Sequence, residues 1–534
     1  MFEAFGRASL WRHMLDVKSR EASMLHAIVE ENAGVLDQGV LPCAPSDEEK
    51  VLYHKTGRCF LVTMGVISLT ALSTGMWLFT IAAPYFFWFG APTSFVLGYL
   101  LLSYFGVAVW GKDFDPEDHE AKLRTADETE FYPTVDIYLP VCNEPTHVLD
   151  NTWTHVAALD YPRVEVHVLD DGAKEEVRQL AKLHGFNYIR RDNRPELKKA
   201  GNLRWAFART SGEILVIFDA DFCPRPEFLR ETTPYFVDPE IGIVQTPQFF
   251  RYREEQTWVE KGAGVTQELF YRMVNRNKFD AAICVGTCGV YRREALAPFG
   301  GTAAIGYSED VHTGFNITQL GYKVRYVPQV MAMGTCPEEP RAFFMQQYRW
   351  CMGSTTLLTN KEFWRSSLTG MQKLCYVSGM FYYSATAMAI FMGPMPGMLL
   401  IWFKPSAVLW FNVSFAVPSI FFSFVIMPCW AKQRYDLCCQ RVKVIQSFAH
   451  LYAIKDRLMK TSIPWIPTGG GAASRSSSTA YDSSLKLMLC WTSTYTILIL
   501  VGAAWRATDF PWYQFVPSVV LAIANYALHV STLL

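Results

Sequence analysis

Five long stretches of the chain carry no charged residue. A helix that crosses a bilayer needs about 20 apolar residues. The first stretch is long enough for two such helices and each of the others for one, so the pattern predicts about six membrane-spanning helices. Buried helices of a soluble protein seldom need uncharged runs of this length. The stretches are 59–111, 374–403, 405–431, 487–505 and 510–534.

The basic residues near these stretches predict an orientation. Loops on the cytosolic side are enriched in Lys and Arg. The connection between the fourth and fifth predicted spans is rich in them, whereas the other short connections are nearly free of them. By parity, the N-terminus, the large polar middle region and the C-terminus are also predicted to be cytosolic. The basic residues of that connection are Lys432, Arg434, Arg441, Lys443, Lys455, Arg457 and Lys460.

The middle region, from Lys112 to Lys373, is polar enough to form a folded domain. Short β-rich runs alternate there with helical patterns, which indicates parallel strands joined by crossover helices. Ligands of such α/β sheets bind at the carboxyl ends of the strands. The predicted strands are Val135–Pro140, Val164–Leu169, Ile214–Phe218 and Ile241–Gln245.

The same pattern divides the chain into seven segments. Residues 341–365 and 435–460 mix aromatic, aliphatic and basic residues at helical spacing, which is typical of helices at a membrane surface. Residues 464–484 are rich in Gly and Ser and predict a loop. The segments are a leader (1–57), two spans (58–111), the α/β domain (112–340), interfacial helices (341–370), two spans (371–431), an interfacial helix with the Gly/Ser-rich loop (432–485) and two spans (486–534).

Composition agrees with a membrane protein and argues against one class of partner. Of the 534 residues, 50% are hydrophobic and 19% are charged. The net charge of −1 offers no basic excess for a nucleic acid. The lipid bilayer is therefore a predicted partner, and nucleic acid is not.

Acidic residues follow two of the predicted strands. Asp219 and Asp221 stand two residues apart at the end of a buried strand, so their carboxylates point the same way. Mg²⁺ prefers one or two carboxylates together with substrate phosphates. This pair therefore suggests a metal-bound nucleotide diphosphate. Taken alone, such a pair is more often an incidental surface feature.

Asp170 and Asp171 end the preceding strand and are followed by Gly172. Taken alone, a tight turn is the favoured explanation of this tripeptide, since Gly accepts positive φ, but the second acidic strand end nearby favours a role in binding a nucleotide. Lys199, just before a helix-forming run, suits a phosphate, although a solvated Lys is the commoner case.

Two further motifs lie nearer the second group of spans. Glu309 and Asp310 precede a helical stretch, where an acid is often a cap, but a carboxylate is also the expected base for a sugar hydroxyl. The run Gln346-Gln347-Tyr348-Arg349-Trp350 offers an aromatic face for a sugar ring and a guanidinium for a diphosphate. An interfacial helix without such a role would have a similar composition.

Together these motifs resemble those of the processive family 2 glycosyltransferases, the group of cellulose, chitin and hyaluronan synthases. The motifs DDG, KAGN, DAD, VQTPQ, VGTCGVYRR, SED and QQYRW follow one another in that order from Asp170 to Trp350. Their details are most similar to the cellulose and mixed-linkage β-glucan branch. The resemblance implies an α/β glycosyltransferase A-type domain, with a mixed and mainly parallel sheet, inserted between transmembrane helices.

The resemblance also implies an activity: inverting transfer of glucose from UDP-glucose to a growing β-glucan, which crosses the membrane as it elongates. Asp310 would be the catalytic base, and a Mg²⁺ or Mn²⁺ ion would be held by Asp219 and Asp221. The donor would contact Asp170, Asp171, Lys199, Asp219, Gln346 and Arg349. The acceptor would contact Gly286, Thr287, Glu309, Gln347 and Trp350.

A gating loop typical of the bacterial members would correspond to Trp465, Thr468, Gly469 and Gly470, although only the Thr and the glycines match its usual pattern. The expected location is the plasma membrane, with the catalytic domain in the cytosol. Chitin or hyaluronan synthesis, transfer to a lipid acceptor, and an inactive membrane scaffold remain alternatives. The sequence leaves open a homo-oligomer or accessory subunits, and it leaves open whether the linkage is β-1,4 or mixed.

Overall fold

The computed structural model describes residues 41–110, 114–275, 279–280, 282–431, 435–461 and 475–533. Its strands are β1 (Val135–Val141), β2 (Val164–Asp170), β3 (Asn187–Ile189), β4 (Ile214–Ile217), β5 (Cys223–Pro224), β6 (Ile241–Gln245), β7 (Gly289–Arg292), β8 (Lys323–Tyr326) and β9 (Ala332–Met333).

The helices before β7 are α1 (Asp47–Lys50), α2 (Arg58–Ala82), α3 (Gly90–Trp110), α4 (Pro116–Glu128), α5 (Thr146–Ala157), α6 (Glu175–Leu183), α7 (Lys198–Phe207), α8 (Phe228–Thr232) and α9 (Trp258–Leu269). After β7 come α10 (Arg293–Leu296), α11 (Glu309–Gln319), α12 (Pro340–Ser354), α13 (Lys361–Arg365), α14 (Gly370–Met392), α15 (Met395–Phe403), α16 (Val417–Phe421), α17 (Met427–Ala431), α18 (Leu437–Leu458), α19 (Arg475–Arg506) and α20 (Val516–Ser531).

Seven strands form one sheet in the order β3-β2-β1-β4-β7-β6-β8. All adjacent pairs are parallel except those made by β7, which runs antiparallel to both β4 and β6. The amino end of β7 therefore lies at the edge where the other strands have their carboxyl ends. The predicted mixed, mainly parallel sheet is confirmed, and the four predicted strands agree with the structure to within one residue at each end.

Both faces of the sheet are covered, which explains why the central strand β4 is apolar throughout. On one face, Ile137 and Val216 pack with Trp153 of α5. On the other face, Leu215 and Ile243 pack with Leu203 of α7. A third apolar cluster joins α9, α12 and α18 through Val259, Phe343 and Val442.

The apolar helices flank this domain in sequence. Within the part of the chain that the structure describes, five are long and apolar enough to cross a membrane: Arg58–Ala82, Pro84–Tyr104, Gly370–Phe403, Trp410–Ala431 and Thr479–Arg506. The sixth predicted span corresponds to Val516–Ser531, which is shorter because Pro511 and the turn Trp512–Gln514 take up the start of that run. At about 1.5 Å per residue, its 16 residues extend about 24 Å, against a hydrocarbon core of about 30 Å.

The predicted loop at 464–484 is wrong for residues 475–484, because α19 begins at Arg475 and continues into the apolar run; residues 464–474 lie outside the described residues. Ser and Ala are tolerated in a helix that tertiary packing stabilises. The predicted interfacial helices correspond to α12, α13 and α18.

Candidate functional site

The candidate site lies at the carboxyl edge of β1, β2 and β4. Residues 285–288 reach this edge because β7, which they precede, runs in the opposite direction. The topology therefore brings together motifs that lie more than a hundred residues apart in the chain.

Asp170 shapes the turn after β2. Its carboxylate is fully buried and accepts hydrogen bonds from the backbone N–H of Ala173 (2.8 Å) and Lys174 (3.2 Å) and from the hydroxyl of Tyr188 (2.8 Å). Positive φ occurs at Ala173 (58°), not at Gly172. These contacts give Asp170 a structural role in presenting Asp171, and its predicted contact with a nucleotide stays a prediction.

Asp171 is held by a fully buried arginine. Arg191 donates through Nε to Oδ1 of Asp171 (2.7 Å) and through one terminal nitrogen to Oδ2 (2.6 Å). The same guanidinium donates to the backbone carbonyls of Glu196 (2.5 Å) and Lys198 (2.9 Å). A bidentate pair of this kind fixes the plane of the carboxylate. Arg191 therefore joins the turn after β2 to the start of α7.

Lys199 is the cation at the centre of the site. It lies in the first turn of α7 rather than preceding that helix, and its ammonium donates to Asp219. Its Nζ also lies 4.0 Å from a carboxylate oxygen of Glu309. Burial opposes the charge of Lys199, but the nearby carboxylates of Asp219, Glu309 and Asp310 outweigh it and raise the pKa of the lysine above its usual value. Lys199 is therefore protonated at neutral pH.

Asp221 is held by Thr335. It accepts hydrogen bonds from the hydroxyl (2.8 Å) and backbone N–H (3.3 Å) of Thr335. Burial, followed by the like charge of Asp219, raises the pKa of Asp221 to about 6. Burial also raises the pKa of Glu144, with a further contribution from Asp221 and Asp219. These carboxylates repel one another, and a bound cation would reduce that repulsion.

The carboxylate oxygens of Asp219 and Asp221 are suitable ligands for a hard divalent ion. Asp219 and Asp221 supply two carboxylates, and Mg²⁺ usually takes one or two together with phosphate oxygens and water. Another acidic group, Asp136, Glu165 and His167, has ligand atoms within 4.8 Å of one another. It lies near the opposite edge of the sheet, where Asp136 already binds Arg293 (2.8 Å) and the backbone N–H of Gly212 (2.7 Å). That second group is therefore part of a structural network.

Asp310 lies in the first turn of α11. Burial, followed by the charge of Glu309, raises its pKa to about 7, against the lowering effect of Lys199. Gly286, with φ of 84°, comes so close that a Cβ there would lie 3.3 Å from Oδ2 of Asp310. A half-buried carboxylate with a pKa near neutrality is suited to accept a proton.

The segment before β7 also contacts the acidic pair. The hydroxyl of Thr287 accepts a hydrogen bond from the backbone N–H of Asp219 (2.9 Å). The side-chain amide of Gln245, at the end of β6, donates a hydrogen bond to the carbonyl of Thr287 (3.0 Å) and accepts one from the backbone N–H of Val285 (3.0 Å). Thr287 therefore positions the start of the DAD motif, and Gln245 positions Thr287.

The four predicted residues of α12 do not share one environment. Gln347 is buried and accepts a hydrogen bond from Gln446 of α18 (2.8 Å). Its side chain therefore contacts α18. Gln346, Arg349 and Trp350 are half-buried. Burial lowers the pKa of Arg349 to about 10, and the nearby Tyr307 partly offsets this effect. The predicted gating residues Trp465, Thr468, Gly469 and Gly470 lie outside the described residues.

Three contributors to the site were not predicted from the sequence: Arg191, Glu144 and Gln245. Arg191 lies among several other basic residues, and its role becomes visible only when β2 and α7 pack together. Glu144 follows β1, so the rule that singled out the acids after β2 and β4 would also have found it. His312, on the same helix as Asp310, contacts the hydroxyl of Thr356 (2.6 Å).

Comparison with known proteins places the domain in context. Residues 133–353 match the glycosyltransferase-like family 2 model. The cellulose synthase catalytic subunit (UDP-forming) of Pseudomonas fluorescens (strain SBW25) is 34% identical over 279 residues, which cover 50% of this chain and 38% of that protein. Cellulose synthase 1 of Komagataeibacter xylinus is 35% identical over 273 residues, covering 49% of this chain and 17% of that protein. The matched part of this chain thus spans well under half of either relative.

A solved structure shows a weaker likeness. It is a mannosyltransferase from Pyrobaculum calidifontis in complex with GDP-Man and Mn²⁺, 19% identical, with a TM-score of 0.48. The match covers 75% of this chain and 100% of that one.

Proposed function

Because the chain carries a family 2 glycosyltransferase domain similar to that of cellulose synthase catalytic subunits, we propose that it is a membrane-embedded, processive, inverting glycosyltransferase. It would polymerise glucose from UDP-glucose into a β-glucan and pass the product across the membrane. One structural observation gives this proposal its main support. A half-buried carboxylate with a pKa near neutrality, Asp310, lies in the same cluster as Lys199 and the Asp219–Asp221 pair.

In the proposed reaction, Asp310 accepts the proton of the acceptor hydroxyl. The hydroxyl oxygen forms a bond to the anomeric carbon of the donor sugar while the bond from that carbon to the UDP oxygen breaks. Attack from the face opposite the leaving group inverts the anomeric centre. Holding the hydroxyl, the base and the anomeric carbon in line removes much of the entropic cost of the reaction.

The donor would be bound from two sides. Asp171, whose carboxylate plane Arg191 fixes, would contact the uridine. Lys199 would lie beside the diphosphate, where its positive charge is kept by the surrounding acids. Asp219 and Asp221 would hold a Mg²⁺ or Mn²⁺ ion, which when bound would offset the negative charge of the departing UDP.

The acceptor would bind near Gly286 and α12. The lack of a side chain at Gly286 leaves the space beside Asp310 open. Trp350 is half-exposed on α12 and offers an aromatic face for the terminal sugar. Since α12 packs against α18, which also packs on α14, the elongating end would lie close to the apolar helices.

The orientation of the protein belongs to the same proposal. The basic residues of α18 and its flanks would face the cytosol, and so would the catalytic domain. UDP-sugars are made in the cytosol, so this orientation would supply the donor directly. The plasma membrane is the proposed location.

The test uses membranes that contain the full chain. Labelled UDP-glucose should give a polymer that linkage-specific β-glucanases digest, whereas UDP-N-acetylglucosamine and UDP-glucuronate should give little. Asp310→Asn should abolish polymer synthesis while UDP still binds. Asp127→Asn, on an exposed face of α4, is the matched control and should keep full activity. A clear preference for the acetylated donor would replace the glucan assignment with that of a chitin-type synthase.

A further inference from the structure

Lys198 lies next to Lys199 in sequence but has different neighbours. Its ammonium lies over the ring of Tyr307, with Nζ 3.8 Å from the ring centroid. A Cβ on Gly306 would lie 4.0 Å from Cδ of Lys198, so the side chain runs along the loop before α11. Lys199 instead donates to Asp219. Lys198 has a left-handed backbone (φ 53°), so its side chain leaves the start of α7 in a direction that regular helix geometry would not give it.

Helix α12 brings a second cation to the same loop. A Cβ on Gly353 would lie only 2.3 Å from the hydroxyl of Ser308 and 2.8 Å from the carbonyl carbon of Tyr307, so α12 packs directly on this loop. Arg349 is one turn earlier, and residues four apart share a helix face. Arg349 therefore faces Tyr307 from the side of α12. Burial, followed by the charge of Arg349, lowers the pKa of Lys198 to about 8, as expected for two neighbouring cations.

The backbone around this group is held in an unfavourable conformation. Leu197 (φ 51°), Lys198 (φ 53°) and Ser308 (φ 49°) are all left-handed without being glycine. Such residues persist where the surrounding structure fixes them, and they cluster at ligand-binding sites. Here Arg191 fixes the backbone by donating to the carbonyl of Lys198 (2.9 Å). The ammonium of Lys198 is thus positioned through its own main chain and through Tyr307.

We propose that Lys198 and Arg349 form a two-cation clamp, positioned by Tyr307, that binds the β-phosphate of the UDP. This inference rests on the proposed function and adds Lys198 to the residues that would bind the donor. An anion bound between the two cations is attracted by both of them. The diphosphate is the appropriate anion because Lys198 directly precedes Lys199, whose ammonium binds Asp219 of the proposed metal-binding pair. Guanidinium and ammonium groups both recognise phosphate oxygens.

The test compares UDP with UMP, which lacks the β-phosphate. Dissociation constants are measured on purified full-length protein for the native chain and for Lys198→Gln, Lys198→Arg and Lys361→Gln. Lys361 is an exposed lysine on α13 and serves as the matched control. In Lys198→Gln the dissociation constant for UDP should rise about tenfold, the loss expected for one charged hydrogen bond. The constant for UMP should change less than twofold, and Lys198→Arg should bind UDP almost as well as the native chain.

Two outcomes would overturn the clamp. Unchanged UDP binding in Lys198→Gln would remove Lys198 from the site, and an equal loss for UDP and UMP would show a general disturbance of α7. Thermal unfolding without ligand identifies a variant that has lost its fold, in which case Lys198→Met is measured in the same way. The test measures binding directly, so it separates the two proposals. If the native protein binds UDP but transfers no glucose, the proposed function is contradicted, while the binding constants of the variants still test the clamp.

Discussion

Lys199 provides positive charge for several carboxylates at once. Its ammonium binds Asp219, approaches Glu309 and lowers the pKa of Asp310 against the opposing effects of burial and Glu309. Without this charge, burial would favour the protonated form of Asp310 more strongly. The residue that would perform the chemistry thus depends on its neighbours for the pKa that suits it.

This arrangement predicts a pH dependence. A protonated Asp310 cannot accept a proton, so kcat/KM should fall as the pH drops below about 7, the pKa of this carboxyl. Glu309→Gln removes a like charge, lowers the pKa of Asp310 and should move the acid limb to lower pH. The measurement is initial rate against pH in membranes for both proteins. An acid limb that stays in place in Glu309→Gln would contradict the assignment of Asp310 as the titrating base.

Gly286 allows a second prediction at the same scale. An alanine at φ of 84° is strained, and its Cβ would lie 3.3 Å from Oδ2 of Asp310. Gly286→Ala should therefore lower kcat at least tenfold in addition to costing about 1–3 kcal/mol of stability. Gly185→Ala is the matched control, because Gly185 has φ of 73° but a Cβ there meets nothing within 4 Å. It should lose similar stability and keep its activity, as measured by thermal unfolding and polymer yield.

The sequence identifies the acids of the site but not how they are held. Asp219, Asp221 and Asp310 follow strand ends or begin a helix, positions that a pattern of hydrophobic residues can locate. Asp170 and Asp171 look equivalent in the sequence, yet one closes the turn and the other binds Arg191. That difference depends on the packing of β3 and α7, which no local pattern records.

At the scale of elements, the main feature absent from the strand pattern is β7. Alternation of strands and helices predicts parallel pairing, whereas Gly289–Arg292 inserts antiparallel between β4 and β6. The strand has four residues and follows a motif rich in small residues, so its hydrophobic pattern is weak. Because β7 runs antiparallel, Gly286 and Thr287 reach the site. The family resemblance implied this position for them, whereas the hydrophobic periodicity did not.

Helix α12 allows a prediction about Trp350. If its indole is a platform for the acceptor sugar, Trp350→Ala should stop elongation but leave slow hydrolysis of the donor, because the carboxylates and Lys199 are untouched. Loss of stacking costs on the order of 1 kcal/mol, and a misplaced hydroxyl can lose about a hundredfold in rate. Donor hydrolysis and polymer yield are measured on equal amounts of folded protein.

The control for Trp350 is Trp364→Ala, since Trp364 is an exposed tryptophan on the next helix, α13. It should reduce neither activity. Parallel loss of hydrolysis and elongation in Trp350→Ala would instead make Trp350 a packing residue of α12.

At the scale of the whole molecule, the segment before the first span is attached to the domain. Pro42 accepts a hydrogen bond from Asn151 (2.8 Å), and Arg225 pairs with Asp47 (2.5 Å). Farther along, the carbonyl of Thr56 accepts the indole N–H of Trp430 (2.7 Å), at the end of another apolar helix. Residues 42–56 thus connect the α/β domain to two of the apolar helices, α2 and α17.

A buried ion pair lies at this junction. Arg272 binds Glu268 (3.0 Å) and the carbonyl of Lys55 (3.1 Å), and its guanidinium lies over the ring of Trp430, 4.6 Å from the centroid. Side-chain exposure is 7% for Arg272 and 2% for Glu268. Burial raises the pKa of Glu268 to about 7 even though Arg272 lowers it. The pair is therefore a point where the domain, the leader and an apolar helix meet in a poorly solvated environment.

Removing one partner should loosen this junction. Arg272→Met leaves Glu268 buried without its counter-charge, which typically costs about 3–5 kcal/mol. The double variant Glu268→Leu/Arg272→Met replaces the pair by apolar groups of similar volume and should recover most of that loss. Unfolding is followed in detergent, with polymer synthesis measured in membranes. If the pair only stabilises the junction, the double variant regains stability and activity together. Stability regained without activity would mean that the charges themselves transmit the position of the membrane helices to the catalytic domain.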